Sequence, residues 1–553
     1  MKSRIKKVLF PVILVVLFGG LVSSTEPSEH YFDIARNLDI FATLFKEVNT
    51  YYVDSINPND LMRTAIDGML ASMDPYTNYI PEDEIEDYLT MTTNQYGGVG
   101  MLIGKNNDKN IVIMPYKGFP AYNAGVKIGD ELLKIDGVDV TKMNTAEISR
   151  LLKGQSSTEV DVTIMRYGKS DPIDFSLKRE KITIENVPYF GMAAPAVGYI
   201  KLSDFTTSAG REVSHAVEKL KSDGAQKIIL DLRDNPGGLL NEAVNVVNVF
   251  VPRGMDVVST RGKVTEWNKT YKALNNPVDT DIPLAVLTNS RSASASEIVA
   301  GTMQDYDRGV LVGKKTFGKG LVQTTRDLAY NSKLKVTTAK YYIPSGRCIQ
   351  AINYSERNED GSVKKIPDSL KVAFKTTNGR VVWDGGGIDP DFDVDRQNLA
   401  PITMSLVSKG LIFDFATRYF YSHESIPPAS EFQVSDADFE KFVEWLKGKD
   451  YDYVTKVEKT VDDLEDYAKV EKFNGEVESE IKDLKAKIQH NKERDLVKFK
   501  DEIREVLSDE IATRYYLNDG AIEASFKDDP QVQAAIKVLN DPNRYNTLLA
   551  RKE

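Results

Sequence analysis

One cysteine stands in 553 residues. Cys348 cannot close an internal disulfide, so stability must come from packing. Histidine is almost as scarce. His30, His215, His423 and His490 are scattered, and none lies near another histidine or the cysteine at ligand spacing. No zinc motif results, and nothing calls for a metal or a cofactor. Basic charge is outweighed, with 82 acidic against 71 basic side chains and a net charge of −11. That balance excludes nucleic-acid binding as the main role, because phosphate contacts need a basic face. No internal repeat and no low-complexity tract occurs. Only one long apolar run is present, Val8 to Val22.

That run follows Lys2, Arg4, Lys6 and Lys7 and precedes the small and polar VSSTEPSE. The order is that of a secretory signal, and the run is short for a membrane span. Residues 1–24 are therefore expected to be a signal cleaved after Ser24, with a retained membrane anchor as the alternative. No cysteine follows to carry a lipid. Either way the working part leaves the cytoplasm, for the periplasm or cell envelope.

The length suggests about three to four domains. With 41% hydrophobic and 28% charged residues the composition is globular. Residues 30–83 predict a helical hairpin, with Ile34, Leu38, Phe41, Phe45 and Val48 as a stripe packed into a core and Asn59 or Asp60 capping the second helix. Residues 84–180 change to short strands, among them YGGVGMLIGK, NIVIMPY and ELLKIDGVDV, with a helix after Thr145. Residues 181–400 alternate strand and helix: VGYIKLSDF, SAGREVSHAVEKLKSDG, KIILDLRDN, LLNEAVNVVNVF, LAVLTN, ASASEIVAGTMQDY, VLVG. That is an α/β core, whose chemistry belongs at the C-terminal ends of the strands. The turns RDNPGG and NSRSASAS both fall there. Residues 401–553 are rich in charges and helix formers, and predict a helical accessory domain with one long exposed helix through VESEIKDLKAKIQHNKERDLVKFKDEIREVL.

A nucleophilic serine needs a base within hydrogen-bond reach. The core's one histidine, His215, sits mid-helix, away from the strand ends. A lysine serves if it is held neutral, against an ordinary pKa of about 10.4. Lys319, bracketed by Gly318 and Gly320, follows Ser294 by 25 positions, enough for a helix, a strand and a turn. Ser292, Ser294 and Ser296 also suit helix capping, and Gly-Lys-Gly suits a solvated turn. The residues alone leave both readings open. A phosphate-binding loop is excluded, because no G-x-x-x-x-G-K-[ST] precedes a helix.

Two resemblances bear on this. GGVGM (Gly97–Met101), GFPAYNAGVKIGDELLKIDG and the helix through Leu151 and Leu152 resemble a PDZ domain. That implies a peptide added as a strand along Val99 to Ile103, its carboxylate held by the backbone of Gly97, Gly98, Val99, Gly100 and Met101. Ile148, Leu151 and Leu152 would offer the apolar pocket. Phe119 and Ser156-Ser157 depart from the common pattern. LDLRDNPGG, SASASEI, TFGKGLVQ and AKYYIPSGR, in this order behind such a module, resemble the carboxy-terminal processing peptidases, tail-specific serine proteases with a Ser-Lys centre. Arg291 and Cys348 are departures that remove no catalytic atom.

The resemblance implies an α+β multidomain chain: a crotonase-like α/β peptidase core, a small PDZ β-barrel module, N-terminal helices and a C-terminal helical domain. It implies Ser294 as nucleophile, Lys319 as base and Gln323 as the partner that orients the lysine. The oxyanion donors would be the backbone N–H of Ala295 and of Gly237 or Gly238. The expected partners are proteins or peptides with accessible C-terminal tails, with membrane anchoring and homo-oligomer formation as further expectations.

Overall fold

The computed structural model describes residues 26–357, 362–396, 398–488 and 492–550. The expected signal segment lies outside them. Among the described residues no helix is long and apolar enough to cross a membrane. The chain divides into two compact units, one up to Tyr79 and one from Ile80 onward.

The first unit holds helices α1 (Glu26–Tyr51) and α2 (Pro58–Ala71). Asn57 caps α2 by accepting the Asn59 N–H, and Pro58 occupies the first helical position, where its missing N–H costs nothing. The cap therefore lies two residues before the expected Asn59. The apolar stripe of α1 was expected inside a core. It is exposed instead, with Tyr31 at 70%, Leu38 at 63% and Leu44 at 58% accessible.

The second unit begins with α3 (Ile85–Thr93), which leads into an antiparallel sheet. Its strands run in the order β1 (Met101–Asn106), β2 (Lys109–Pro115), β3 (Glu131–Ile135), β4 (Glu159–Met165) and β5 (Ile173–Lys178). α4 (Thr145–Leu152) packs against it. Asn144 and Glu147 cap α4 reciprocally, so the cap falls one residue before the expected Thr145. Val112, Leu132, Ile135 and Ile164 are fully buried between sheet and helix. β1 ends the sheet, leaving one edge of its backbone without a strand neighbour in that sheet.

The central sheet has six strands: β6 (Tyr189–Ala194), β7 (Val197–Lys201), β8 (Lys227–Asp231), β10 (Leu284–Thr288), β11 (Val310–Gly313) and β14 (Phe392–Asp393), adjacent in that order. β6 pairs antiparallel and the rest parallel. Helices α5 (Ala209–Ser222), α6 (Leu240–Phe250) and α7 (Ala295–Asp305) cover one face. β9 (Asp256–Gly262) pairs with β13 (Lys333–Tyr342), and β13 pairs with β12 (Leu321–Asp327). The period of two in a strand decides what meets what. Ile228, Leu230, Leu284 and Val286 face α5–α7, whereas Ile229, Ala285 and Leu287 face the other way.

That other face is covered by the end of the helical tract. The tract contains α8 (Pro401–Ser408), α9 (Leu411–Ser422), α10 (Asp436–Trp445), α11 (Lys456–Val470), α12 (Asn474–Ile488), α13 (Lys492–Lys498), α14 (Lys500–Ser525), α15 (Pro530–Asn540) and α16 (Pro542–Leu549). The single long helix expected there is broken at Phe499 (φ −105°, ψ 24°), which separates α13 from α14. Phe415, Phe442, Leu507 and Ile511 build a core for α8–α10 and α14. The end of the tract also packs on the central sheet. Phe526 and the α15 residues Val532, Ala535, Val538 and Leu539 pack on Ile229, Ala285, Leu287 and Val312 of the central sheet. Each such fully buried aliphatic side chain contributes roughly 1.5–3 kcal/mol, so α15 is a layer of the α/β core.

Candidate active site

β8, β10 and β11 end side by side, and their loops carry the RDNPGG turn, the NSRSASAS turn and the TFGKG turn. The three serines of the second turn separate cleanly. Ser292 is fully buried and donates its hydroxyl to Leu232 O at 2.8 Å. Ser296 is fully buried and donates to Asn235 O at 2.9 Å. Both hydroxyls are spent binding this turn to the strand end beside it. Ser294 between them is half-buried and faces a cavity of about 380 Å³. Lys319, Gln323, Gly237, Gly238 and Ala295 line the same cavity.

Ser294 has φ 55° and ψ −111°, a conformation that costs a residue with a side chain about 1–3 kcal/mol. The surroundings hold it there. Its N–H donates to Glu297 Oε2 at 2.9 Å, and its carbonyl accepts from the buried Tyr341 hydroxyl at 3.1 Å. Asn235 pins the facing turn, its side chain donating to Leu202 O at 2.8 Å and accepting the Gly237 N–H at 2.9 Å. Gly237 has φ 98°, and a Cβ there would lie 2.8 Å from Ala295 N and 2.9 Å from Ser294 Cβ. Glycine is required for so close an approach.

Of the two glycines expected to supply an oxyanion donor, Gly237 has given its N–H to Asn235. Among the described residues the Gly238 N–H makes no such bond. Its neighbours Gly237 O and Leu239 N are the atoms that bridge to Phe205. Ala295 heads α7, where the first N–H groups have no partner within the helix. Gly238 and Ala295 line the cavity onto which Ser294 opens.

Glu297 joins the serine to the lysine. Fully buried, it accepts Ser294 N and Lys319 N on Oε2, both at 2.9 Å, and Gly318 N at 2.7 Å and the Thr316 hydroxyl at 2.5 Å on Oε1. Burial pushes its carboxyl above the ordinary value, and the four donors work the other way. Glu297 is the clamp between the two loops. Gly320 N donates to Gln350 Oε1 at 2.7 Å, so three successive amides fix the lysine loop. Gln323 donates through Nε2 to the Thr337 hydroxyl at 3.1 Å, which turns its Oε1 away from Thr337.

The RDNPGG turn is held from below. Asp231, fully buried, accepts from Arg233 and from the Tyr199 hydroxyl at 2.6 Å and forms an ion pair with Lys201 at 3.4 Å. Burial opposes its charge, but Arg233 and Lys201 outweigh that and hold the carboxyl well below the usual range. Arg233 reaches on to Asp529 at 2.7 Å and Gln531 at 2.9 Å, at the start of α15.

Other expected site residues lie elsewhere. Ile148, Val99 and Met101 are 0%, 2% and 8% exposed and belong to the core of the small module. Ile148 is thus a filled position rather than a wall of an open pocket, whereas the contacts expected of Val99 and Met101 are backbone ones that side-chain burial does not touch. Leu102, 48% exposed, and the half-buried Leu151 remain as accessible apolar side chains of β1 and α4. Gly97 and Gly98 pair with Lys181 and Glu180 of a short strand. His215 packs edge-on against Phe190. Cys348 has no histidine near it in sequence, and burial pushes its thiol up. Among the described residues no acidic, histidine and cysteine cluster suits a metal.

Models of three known families match the chain: peptidase family S41 over residues 196–355, a PDZ domain over 111–166, and the C-terminal helical domain of a probable PDZ-protease over 402–539. A carboxy-terminal-processing protease of Bartonella bacilliformis is 36% identical over 358 residues, which cover 63% of this chain and 81% of that protein. The chain belongs to peptidase family S41. This S41 chain is a serine peptidase, a hydrolase of peptide bonds, with a PDZ domain and a C-terminal helical domain. A probable CtpA-like serine protease of Staphylococcus aureus (strain MRSA252) is 38% identical over 316 residues, 57% of the S41 chain and 62% of its own length. Among solved structures, the photosystem II D1 C-terminal processing protease is 29% identical, covering 64% of this chain and 92% of its own at a TM-score of 0.35. The S41 match spans both Ser294 and Lys319, whereas the PDZ match begins after Gly97–Met101.

Proposed function

We propose that this peptidase cuts protein substrates near their C-termini, with Ser294 as nucleophile and Lys319 as general base. The observation that carries the assignment is the separation of the three serines. Two hydroxyls are consumed by the turn, and the third opens on the cavity that Lys319 shares. Neutral Lys319 takes the Ser294 proton as Oγ attacks the scissile carbonyl. The N–H groups of Ala295 and Gly238 receive the oxyanion. The lysine then protonates the leaving amine, and water releases the acyl group by the same route. Gln323, with Oε1 as its acceptor, orients the ammonium.

Ser294→Ala, with folding verified by circular dichroism, is expected to abolish hydrolysis of a peptide with an apolar C-terminus. Retained hydrolysis refutes the assignment. The PDZ domain takes the substrate tail along the free edge of β1 by strand addition. Removal of residues 84–180 then slows cleavage of tailed proteins far more than that of short peptides.

Two further readings concern where the protein works. The basic, apolar, small-residue order of residues 1–24 supports export to the periplasm or envelope. N-terminal sequencing of the enzyme from envelope fractions tests it, and a cytosolic location with Met1 retained counts against it. Tyr31, Ile34, Leu38, Phe41, Phe45 and Val48 of α1 recur at alternating steps of three and four, the seam of a coiled coil. That seam supports self-association through α1. Leu38→Glu is expected to convert the oligomer to a monomer in sedimentation, and a wild-type monomer at all concentrations is the contrary result.

A further inference from the structure

The catalytic cavity is lined by a second lysine. Lys335 lies on β13 directly opposite Thr325 of β12, and both residues line the cavity that contains Ser294. It is two positions from Thr337, whose hydroxyl accepts the Gln323 amide, so the two share a face of the strand. Lys333, one step further along, pairs with Asp327 at 2.5 Å. Lys335 is half-buried, and among the described residues no carboxylate and no hydrogen-bond acceptor meets its ammonium. Burial lowers its pKa with no acid to oppose the shift. Among the described residues the one carboxylate lining the cavity, Asp204, sits beside Phe205 on the Gly238 side. Burying part of an ammonium without compensation is unfavourable, and here it occurs in the substrate cleft.

We propose that Lys335 is a specificity residue that pairs with a carboxylate of the substrate on the leaving-group side of the cut. The proposal rests on the assignment of Ser294 and Lys319. Lys319 hands its proton to the leaving amine, so the departing segment runs past Lys319 and Gln323 over the β12–β13 pair. Lys335 stands one same-face step, about 7 Å, beyond the Gln323–Thr337 contact. An extended substrate advances about 3.3 Å per residue. Its carboxylate therefore falls roughly two to four residues after the scissile bond. Two sources offer that group: the free terminus of a short tail, or an Asp or Glu side chain within a longer one.

Internally quenched peptides separate the sources. One pair has a neutral tail ending three residues after the cut, as free acid or as amide. A second pair is amidated and carries Glu or Gln at that third position. The wild-type enzyme is expected to prefer the carboxylate member of at least one pair by about tenfold in kcat/KM, mostly through KM, the value of one charge-assisted hydrogen bond. Preference within the first pair names the terminus, and preference within the second names a side chain.

Lys335→Met and Lys335→Gln are expected to reduce the ratio to below about twofold, and Lys335→Arg, which keeps the charge, to retain it. Equal wild-type rates within both pairs overturn the proposal, as does an unchanged ratio in Lys335→Met. Cleavage that survives in Ser294→Ala overturns the catalytic assignment and the proposal with it. Where Ser294→Ala abolishes cleavage, an unchanged ratio in Lys335→Met, with Ser294 intact, overturns the proposal alone.

Discussion

Glu297→Gln tests whether one carboxylate holds the catalytic pair in register. Glu297 presents two oxygens to four donors, and an amide offers only one oxygen. The NH2 group must face either the Ser294 and Lys319 amides or the Thr316 hydroxyl and the Gly318 amide. The second placement is cheaper, because a hydroxyl can rotate to accept whereas a backbone N–H cannot. Gly318 N then loses its acceptor in a site with no exposure, at about 1–3 kcal/mol. The loop that shifts to relieve this carries Lys319. A misplacement of about 1 Å at a reacting group costs on the order of 100-fold in rate. The expected result is a kcat lowered about 10- to 100-fold, with KM on a quenched peptide nearly unchanged because Glu297 does not line the cavity. A modestly lower unfolding temperature accompanies it. A Glu297→Gln enzyme with wild-type kcat would refute the clamp.

Two further outcomes follow from charges in the helical tract. Asp509 and Glu505 line a pocket of about 250 Å³ with Asp528. Burial first, and neighbouring carboxylates second, push both up to about 7 from ordinary values of 3.8 and 4.5. Between about pH 4 and 7 the folded protein keeps protons that the unfolded chain has released, so stability is greatest below that window and falls as pH rises through it. Asp509→Asn is expected to flatten the fall and to raise stability at pH 8 by about 2 kcal/mol, after discounting for solvent. Unfolding temperatures at pH 5 and pH 8 measure this, and parallel pH profiles for the two proteins contradict it. Asp529→Ala removes the acid that steadies Arg233 beneath the RDNPGG turn. A fall in kcat of about tenfold on short peptides is expected, and an unaltered kcat shows that the bridge is dispensable.

Regular periods were legible in the sequence. KIILD, LAVLT and VLVG are continuous apolar runs because both faces of a parallel sheet are covered. The alternation with helices placed the two functional turns at strand ends. What the residues left open was the choice among Ser292, Ser294 and Ser296. Every second residue of a tight turn carries the same hydroxyl there, and only the long-range contacts to Leu232 and Asn235 tell them apart. Asn235 was visible in RDNPGG without a role, since its partners Leu202 and Gly237 meet only in the fold. Lys335 was one lysine in LKVTTAKYY, and strand pairing brings it to the cavity.

The α1 stripe misled because an apolar face reads alike whether it meets its own core or another surface. Ile148 misled because a helix residue turned toward its own sheet fills space that a bound peptide would need. A signal for α15 was present: VQAAIKVL is apolar nearly all round within a charge-rich tract, which marks a buried helix rather than an exposed one.

The position of α15 has a consequence for the order of events in the living cell. A chain emerges from the ribosome N-terminus first, at about 5–20 residues per second. The segment bearing Ser294 and Lys319 is made more than 200 residues before α15. Until α15 follows, Ile229, Ala285, Leu287 and Val312 have no cover on that side, and Arg233 lacks Asp529 and Gln531. Residues 526–549 therefore reach the sheet only after the segment bearing Ser294 and Lys319 has been made, and the packing beneath the RDNPGG turn is completed at that point.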